Sequence, residues 1–297
     1  MMPTSKFKQR GVAIIAALMV AALVASVAGL LMLRQQRALQ QLEIRKDTAE
    51  ARAATWSVLQ LVRLTLRDDA RAGQPDHLLK PWAVPIPEIK IENGAMSGRL
   101  TELNGRFNLA NLLDKDGQLS PAGVAAYKKL LLNLGQPVSL ADALVKHLQS
   151  KAILEAGKSK ILPLVEVNEL TLIDGYSIEL VRQIEPSIVA LPVQTTINVN
   201  FVSAEVLSAW GPKITVSAAE QALAKRRSKY FANPGDFVQQ LPKEMQAEIP
   251  PAMLAVNSQF FWADLGARFG NVFLQHRALL DRSKSEMPTV LWVRRIY

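Results

Sequence analysis

No cysteine occurs among the 297 residues, which excludes a disulfide framework and any thiolate nucleophile or thiolate metal site. That absence is compatible with either side of a membrane. Only three histidines are present, His77, His147 and His276, far apart and without the spacing of metal ligands. No Gly-x-Ser-x-Gly, Walker or Gly-x-Gly-x-x-Gly pattern appears. Nothing supplies a nucleophile–base pair, so the chain reads as a protein without catalytic activity. Charge is missing from Val12 to Leu33, and glycine and proline are missing from Arg34 to Ala72. These two gaps dominate the first quarter of the chain.

The length suffices for one large or two ordinary domains, and 49% hydrophobic residues fit a folded protein with one membrane segment. The net charge of +9 raises nucleic acid or anionic lipid as partners. The positive charges are scattered, however, and the densest run, Lys225-Arg226-Arg227, is short. A basic balance alone is only a footprint, so no specific nucleic-acid partner is expected.

The uncharged stretch Val12–Leu33 would make a helix of ~33 Å, enough for a hydrocarbon core of ~30 Å. A secretory signal has an apolar stretch of only about 7–15 residues. Ser26-Val27-Ala28 has the small residues of a cleavage site, but Leu30, Leu31, Met32 and Leu33 carry the apolar run past it. A retained membrane helix is the better reading. Good helix formers continue it through residues 34–73, and Gly73-Gln74-Pro75 ends it. Leu42, Ala49, Ala53, Trp56, Leu59, Val62 and Leu66 fall three, four or seven apart, which predicts one apolar stripe facing a globular domain. A break near Arg34 stays open at this point. So does orientation, because Lys6, Lys8 and Arg10 precede the span while Arg34, Arg37, Arg45 and Lys46 follow it.

Beyond Pro75 the patterning predicts a hairpin, Ile89–Ile91 and Ala95–Leu103, turning at Asn93-Gly94. Helix signals follow. Ser120-Pro121 reads as a cap with proline at the first helical position, and Gly135 closes that helix. Ser139 with Asp142 and Ser217 with Glu220 read as capping boxes. Residues 166–173 and 178–184 read as a helix–turn–helix around Asp174-Gly175, and residues 203–210 as a short helix. Alternation returns in residues 259–269, 272–281 and 289–295, with a turn at Gly270-Asn271. The two chain ends are thus expected to build one antiparallel sheet against the long helix.

A short basic leader ending in Gly11, followed by an apolar helix running into a soluble head, resembles a type IV pilin or type II secretion pseudopilin. Leu103-Asn104-Gly105-Arg106-Phe107-Asn108-Leu109-Ala110-Asn111-Leu112, Pro81-Trp82, Val167-Asn168-Glu169-Leu170, Leu191-Pro192 and Ile197-Asn198-Val199-Asn200 further resemble the minor pseudopilin K family of the type II secretion system. The resemblance covers nearly the whole chain. It implies an α+β fold: a long N-terminal transmembrane helix continuing into a pseudopilin head (antiparallel sheet on the helix), with a large inserted all-α domain that is SAM-like or helix-hairpin-helix-like. In those terms 1–11 is a prepilin leader, 12–33 the transmembrane helix, 34–73 its continuation, 74–108 the first part of the sheet, 109–251 the inserted domain and 252–297 the C-terminal strands. The resemblance implies cleavage between Gly11 and Val12 by prepilin peptidase, methylation of Val12, a cytoplasmic N-terminus and a periplasmic head. It implies partners among I-, J- and H-like minor pseudopilins and the major pseudopilin, besides inner-membrane lipid. Most family members carry glutamate at the fifth mature position, thought to neutralise a neighbour's α-amine in apolar surroundings. Ala16 stands there in this chain, as is typical of the subunit proposed for the filament tip.

Calcium, which relatives of this family can bind through an acidic segment, is not expected. The corresponding residues here are Val145-Lys146-His147-Leu148-Gln149-Ser150, without hard oxygen ligands. Asp114-Lys115-Asp116-Gly117 resembles the start of a calcium loop, yet its later ligands are missing and a turn before Ser120 explains it. Residues 197–227 resemble a helix-hairpin-helix of DNA-uptake proteins, but the hairpin Gly211-Pro212-Lys213-Ile214-Thr215 has a proline in place of an amide donor. The fold is expected without the DNA site. Asn108 and Asn111 are expected to cap backbone where the hairpin enters the insert, Arg106 to face a carboxylate, and the motif residues Phe107, Glu169, Leu170, Asn198 and Asn200 to serve the structure.

Overall fold

The computed structural model describes residues 9–155, 158–284 and 286–296. Residues 1–8 of the expected leader lie outside the described residues. One helix, α1 (Gln9–Arg71), runs unbroken for 63 residues, so there is no break at Arg34. At ~1.5 Å per residue it is about 95 Å long. Residues 12–46 are exposed all round; from Ala51 onward one face is buried against the head.

The buried face is not the stripe expected from spacing. Ala51, Ala54, Thr55, Val58, Leu59, Val62 and Leu66 are buried, whereas Leu42, Ala49 and Ala53 are exposed and Trp56 is 55% exposed. The physical reason is rotational. A spacing of three falls about 60° short of a full turn, and three such steps in succession, from Ala53 to Val62, carry the pattern half-way round the helix. The single stripe is therefore two, on opposite sides of α1.

The head sheet holds β1 (Ile86–Ile91) and β2 (Gly94–Glu102) near its start and β9 (Phe260–Phe269), β10 (Val272–Asp281) and β11 (Thr289–Arg295) at the chain's end, in the order β1-β2-β9-β10-β11, all antiparallel. The first turn is Glu92-Asn93 rather than Asn93-Gly94, since Ile91 pairs with Gly94. Asn93 takes the positive φ of 60°, and Gly94 opens β2 where a Cβ would run into the Arg268 carbonyl oxygen. Gly270-Asn271 joins β9 and β10 as expected, with Gly270 at φ +50° pressed against the Asp47 carboxylate of α1. One sheet face packs on α1 through Val58, Leu59, Val62, Leu66, Leu100, Phe261, Ala263, Leu265 and Leu280, with Trp82 set edge-on to Phe261. The small side chains Ala51, Ala54 and Ala267 let helix and sheet approach closely.

Between β2 and β9 lies the insert. It is mainly helical: α2 (Pro121–Asn133), α3 (Ser139–Ser150), α4 (Ile178–Ile184), α5 (Ala204–Ala209), α6 (Val216–Ala224) and α7 (Pro234–Val238). It is not all-α. Short parallel pairs join β3 (Phe107–Asn108) to β6 (Ile188–Val189) and β7 (Ile197–Asn198) to β8 (Leu254–Ala255), and β4 (Ile153–Glu155) pairs antiparallel with β5 (Lys158–Lys160). Ser120 caps α2 by accepting the Gly123 N–H, as expected. Two other caps move. The cap of α6 is Thr215, which accepts the Ala218 N–H, so Ser217 falls inside the helix; Ser139 begins α3 without a side-chain cap. Residues 167–172 form a 3-10 helix rather than an α-helix. A core of the insert gathers Phe107, Tyr127, Leu130, Leu131, Leu144, Leu170, Ile184 and Phe237. Leu103, Val189, Leu191, Phe260 and Leu279 join insert and sheet.

Candidate functional site: the anchored helix and the clasped head

Gly11, Val12 and Ala16 all lie on α1, and Val12 and Ala16 are exposed on its apolar first third. Among the described residues α1 is the one helix long and apolar enough to cross a membrane. The opposite face of the same helix, beyond the apolar run, carries Leu39, Leu42, Ala49, Ala53 and Trp56 as an exposed ridge turned away from the sheet. An apolar ridge with alanines four apart between larger side chains is a surface for another helix, because the small residues admit a close approach.

The head end of α1 is fixed by a buried polar network. Asp69 accepts from Lys80 Nζ at 2.6 Å, from Trp82 Nε1 at 3.1 Å and from Arg282 Nη1 at 3.2 Å. Arg282 also donates to Asp76 and to the Ser258 carbonyl, and its guanidinium lies 4.6 Å over the Phe261 ring. Ser258 N–H reaches Asp76 at 2.7 Å, and its hydroxyl reaches Glu102, whose other oxygen accepts the Gly105 N–H at 2.9 Å. Burial raises the Asp76 carboxyl above its ordinary range, against the pull of Arg282. Burial also pushes Glu102 up to about 7, although Ser258 and the Gly105 amide favour its charged form.

Buried asparagines then tie distant segments of the insert to one another. Asn108 satisfies all its polar valences: its oxygen accepts from Ala110 N–H (3.0 Å) and Leu191 N–H (3.2 Å), and its amide donates to the Val193 carbonyl (2.7 Å) and Thr195 Oγ1 (3.1 Å). Asn111 grips the Thr195 backbone at both ends, 2.9 Å each. Asn200 does the same to Phe231, at 2.9 and 3.0 Å. Asn198 accepts the Asn200 N–H and donates to Ser258 Oγ and the Val256 carbonyl. Glu169 accepts the N–H groups of Val165 and Glu166, and Leu170 and Phe107 are core. Arg106 bonds to backbone and stacks on an aromatic ring. It donates to the Glu185 carbonyl oxygen at 3.2 Å and lies 4.8 Å over the Trp262 ring, and the Glu185 and Glu102 carboxylates act on its charge through space rather than in a direct ion pair among the described residues. Sequence reasoning passed over Asn104, which accepts from Gln259 and Phe260 N–H at 3.0 Å and donates to Thr196, together with Glu102, Asp76, Ser258 and Arg282. For Asn104 the signal was present, since it stands in the same stretch as Asn108.

The segments weighed as ligand sites make contacts within the chain. Asp114 Oδ1 accepts the N–H groups of Asp116 and Gln118, which makes the loop a turn. Val145–Ser150 is the last part of α3 and presents no carboxylate to calcium. In the hairpin between α5 and α6, Lys213 N–H donates to Glu248 at 3.0 Å, and Lys129 Nζ binds the carbonyls of Gly211, Pro212 and Ile214 at 2.6–3.0 Å. Arg226 of the basic run is spent on the Val199 and Val202 carbonyls.

A membrane-length helix whose far half packs on an antiparallel sheet is the architecture of a pilin-type subunit, here with a large helical insertion. Two models described as Type II secretion system (T2SS), protein K match residues 105–193 and 197–257, together just over half of the chain. The type II secretion system protein K of Pseudomonas aeruginosa is 28% identical over 279 residues, covering 85% of this chain and 83% of that protein. That of Klebsiella pneumoniae is 27% identical over 305 residues, covering 93% of each. The fold matches a chain in the crystal structure of the GspK-GspI-GspJ complex from the enterotoxigenic Escherichia coli Type 2 Secretion System, with TM-score 0.68, 20% identity, and coverage of 88% of this chain and 99% of that one. The chain belongs to the type II secretion system protein K family; it is a minor pseudopilin of type II secretion.

Proposed function

We propose that this minor pseudopilin starts and caps a short periplasmic pseudopilus, and so supports protein export across the outer membrane. The observation that carries the reading is the continuity of α1: one unbroken helix links an apolar run of membrane length to the head and bears the exposed ridge Leu39–Trp56 on the way. In this reading the chain sits in the inner membrane with its N-terminus cytoplasmic and its head periplasmic. Prepilin peptidase cuts between Gly11 and Val12 and Val12 becomes N-methylated. Loss of Lys6, Lys8 and Arg10 frees the helix to rise from the lipid. I-, J- and H-like minor pseudopilins and the major pseudopilin pack against the ridge and the helix below it; the likeness to a chain of the GspK-GspI-GspJ complex supports the first two. Ala16 suits a tip position, because a subunit without the fifth-position carboxylate needs no neighbour's amine to neutralise. The role is structural rather than catalytic, without calcium and without nucleic acid; the hairpin amide taken up by Glu248 supports the last point.

The test is the mass of the N-terminal peptide of the protein isolated from its own membranes. N-methylated Val12 is expected. A start at Met1 or Met2, or after Ala28, would overturn the processing and the filament role with it. In cells, replacing Gly11 should leave an uncleaved precursor and stop secretion of the system's substrates.

A further inference from the structure

A cavity of about 360 Å³ lies where the loop after α1, strand β2 and the insert meet. Its wall is aromatic: Trp82 and Phe201 stack with ring centroids 5.7 Å apart and planes 21° apart. Its rim is apolar and open to solvent, with Leu78 62% exposed. The volume is at the low end of the ~300–1,000 Å³ of ligand pockets. It suits one or two side chains and not a helix, whose diameter is about 10–12 Å.

The charged groups at this cavity do not balance. Arg99 of β2 lines it, is exposed, and makes no hydrogen bond, ion pair or ring contact among the described residues. Its cross-strand neighbour Asp264 gives both carboxylate oxygens to Arg277, at 2.6 and 3.1 Å, and so does not neutralise it. Glu102 is the cavity's one carboxyl group, and it is engaged within the head: one oxygen meets the Ser258 hydroxyl and the other accepts the Gly105 N–H. Burial pushes it up to about 7, which reduces its negative charge near neutrality. Arg106 also lines the cavity, but the Glu185 and Glu102 carboxylates already act on its charge, so the free cation is Arg99. The Ser203 hydroxyl accepts the Val206 N–H and has no acceptor for its own hydrogen among the described residues. An aromatic recess with an unneutralised guanidinium beside it matches an anion carried on an apolar body, because arginine–carboxylate hydrogen bonds are strong and buried apolar contacts supply the rest.

We propose that this cavity is a docking pocket for a partner protein: Arg99 takes an acidic side chain of the partner, and the apolar side chain next to it packs on Trp82 and Phe201. The Ser203 O–H is a further donor to the same carboxylate. Charge complementarity makes the occupant anionic, and the size of the recess limits it to a short side-chain pair. No residue of α1 lines the pocket, so the inference stands whether or not the filament reading holds.

The experiment uses the full chain in detergent micelles and an N-acetylated, C-amidated dipeptide of 4-fluorophenylalanine and glutamate, followed by fluorine NMR against micelles alone. Saturable broadening with a Kd of about 1–5 mM is expected at low salt. Glutamine for glutamate in the peptide, or Arg99→Glu in the protein, should each weaken binding about fivefold or more. Leu78→Asp should weaken it as well. Arg268→Glu, exposed on the same sheet but outside the pocket, should change it less than about twofold. The replaced side chains are exposed, so the variants should keep the wild-type urea midpoint; Arg99→Gln, which removes the charge without reversing it, is a milder second variant and should also weaken binding. No saturation up to about 20 mM would overturn the proposal. So would equal binding of the glutamate and glutamine peptides, which would remove the anionic partner. An equal loss from Arg99→Glu and Arg268→Glu would mean general surface attraction and also overturn it.

Discussion

Replacing Glu102 with glutamine should flatten a pH dependence that the wild-type chain carries. Glu102 is fully buried between β2 and the insert, and burial lifts its carboxyl from 4.5 to about 7. Between those values the folded chain keeps a proton that the unfolded chain has released. Stability therefore falls as pH rises through that window and is level above it. The difference corresponds to about 3 kcal/mol, as an order of magnitude. Glutamine keeps an acceptor for the Gly105 N–H, and its amide N–H donates to the Ser258 hydroxyl in place of accepting from it; it carries no charge, so the variant should gain on wild type by that amount between about pH 5 and about pH 8. Asp76 is raised for the same first reason, burial, so a residual slope of the same sign should remain in the variant. Urea unfolding of the full chain in micelles, followed by tryptophan fluorescence, reads this directly, since Trp82 donates to Asp69 inside the same network. A difference between variant and wild type that is constant across the range would refute the reasoning, because it would mean that Glu102 is ionised in the folded chain throughout.

Two further outcomes follow from the clasp and the ridge. Asn108→Ala leaves the Leu191 and Ala110 N–H groups and the Val193 carbonyl without their side-chain partner, and should cost about 3–4 kcal/mol in urea unfolding; a loss under about 1 kcal/mol would show that the asparagine is replaceable. Trp56→Gln, on the face of α1 opposite the sheet, should change stability by less than about 0.5 kcal/mol yet reduce recovery of other minor pseudopilins with the tagged chain from its own membranes; undiminished recovery would remove the ridge from the interface.

The local features of this protein were legible from residues alone. A membrane-length helix needs only an uncharged run, a strand only alternation, and the Ser120-Pro121 helix start only its own first turn. Each is settled by neighbours a few positions away, and each stands in the structure. Where two local signals competed, at Ser217 against Thr215 or at Asn93-Gly94, strand register and packing chose. The face of α1 was misread because its apolar positions belong to two stripes, and only the sheet tells which is buried. The network that joins helix, sheet and insert was invisible for a stronger reason. Arg282 meets Asp69 across 213 positions and Asp76 across 206, and Asn108 meets Thr195 across 87. A buried polar side chain is tolerable only when its partners are in place. Nothing in an asparagine's sequence neighbourhood says that a backbone some eighty residues away will meet it, so tertiary structure alone decided which polar groups hold the head together.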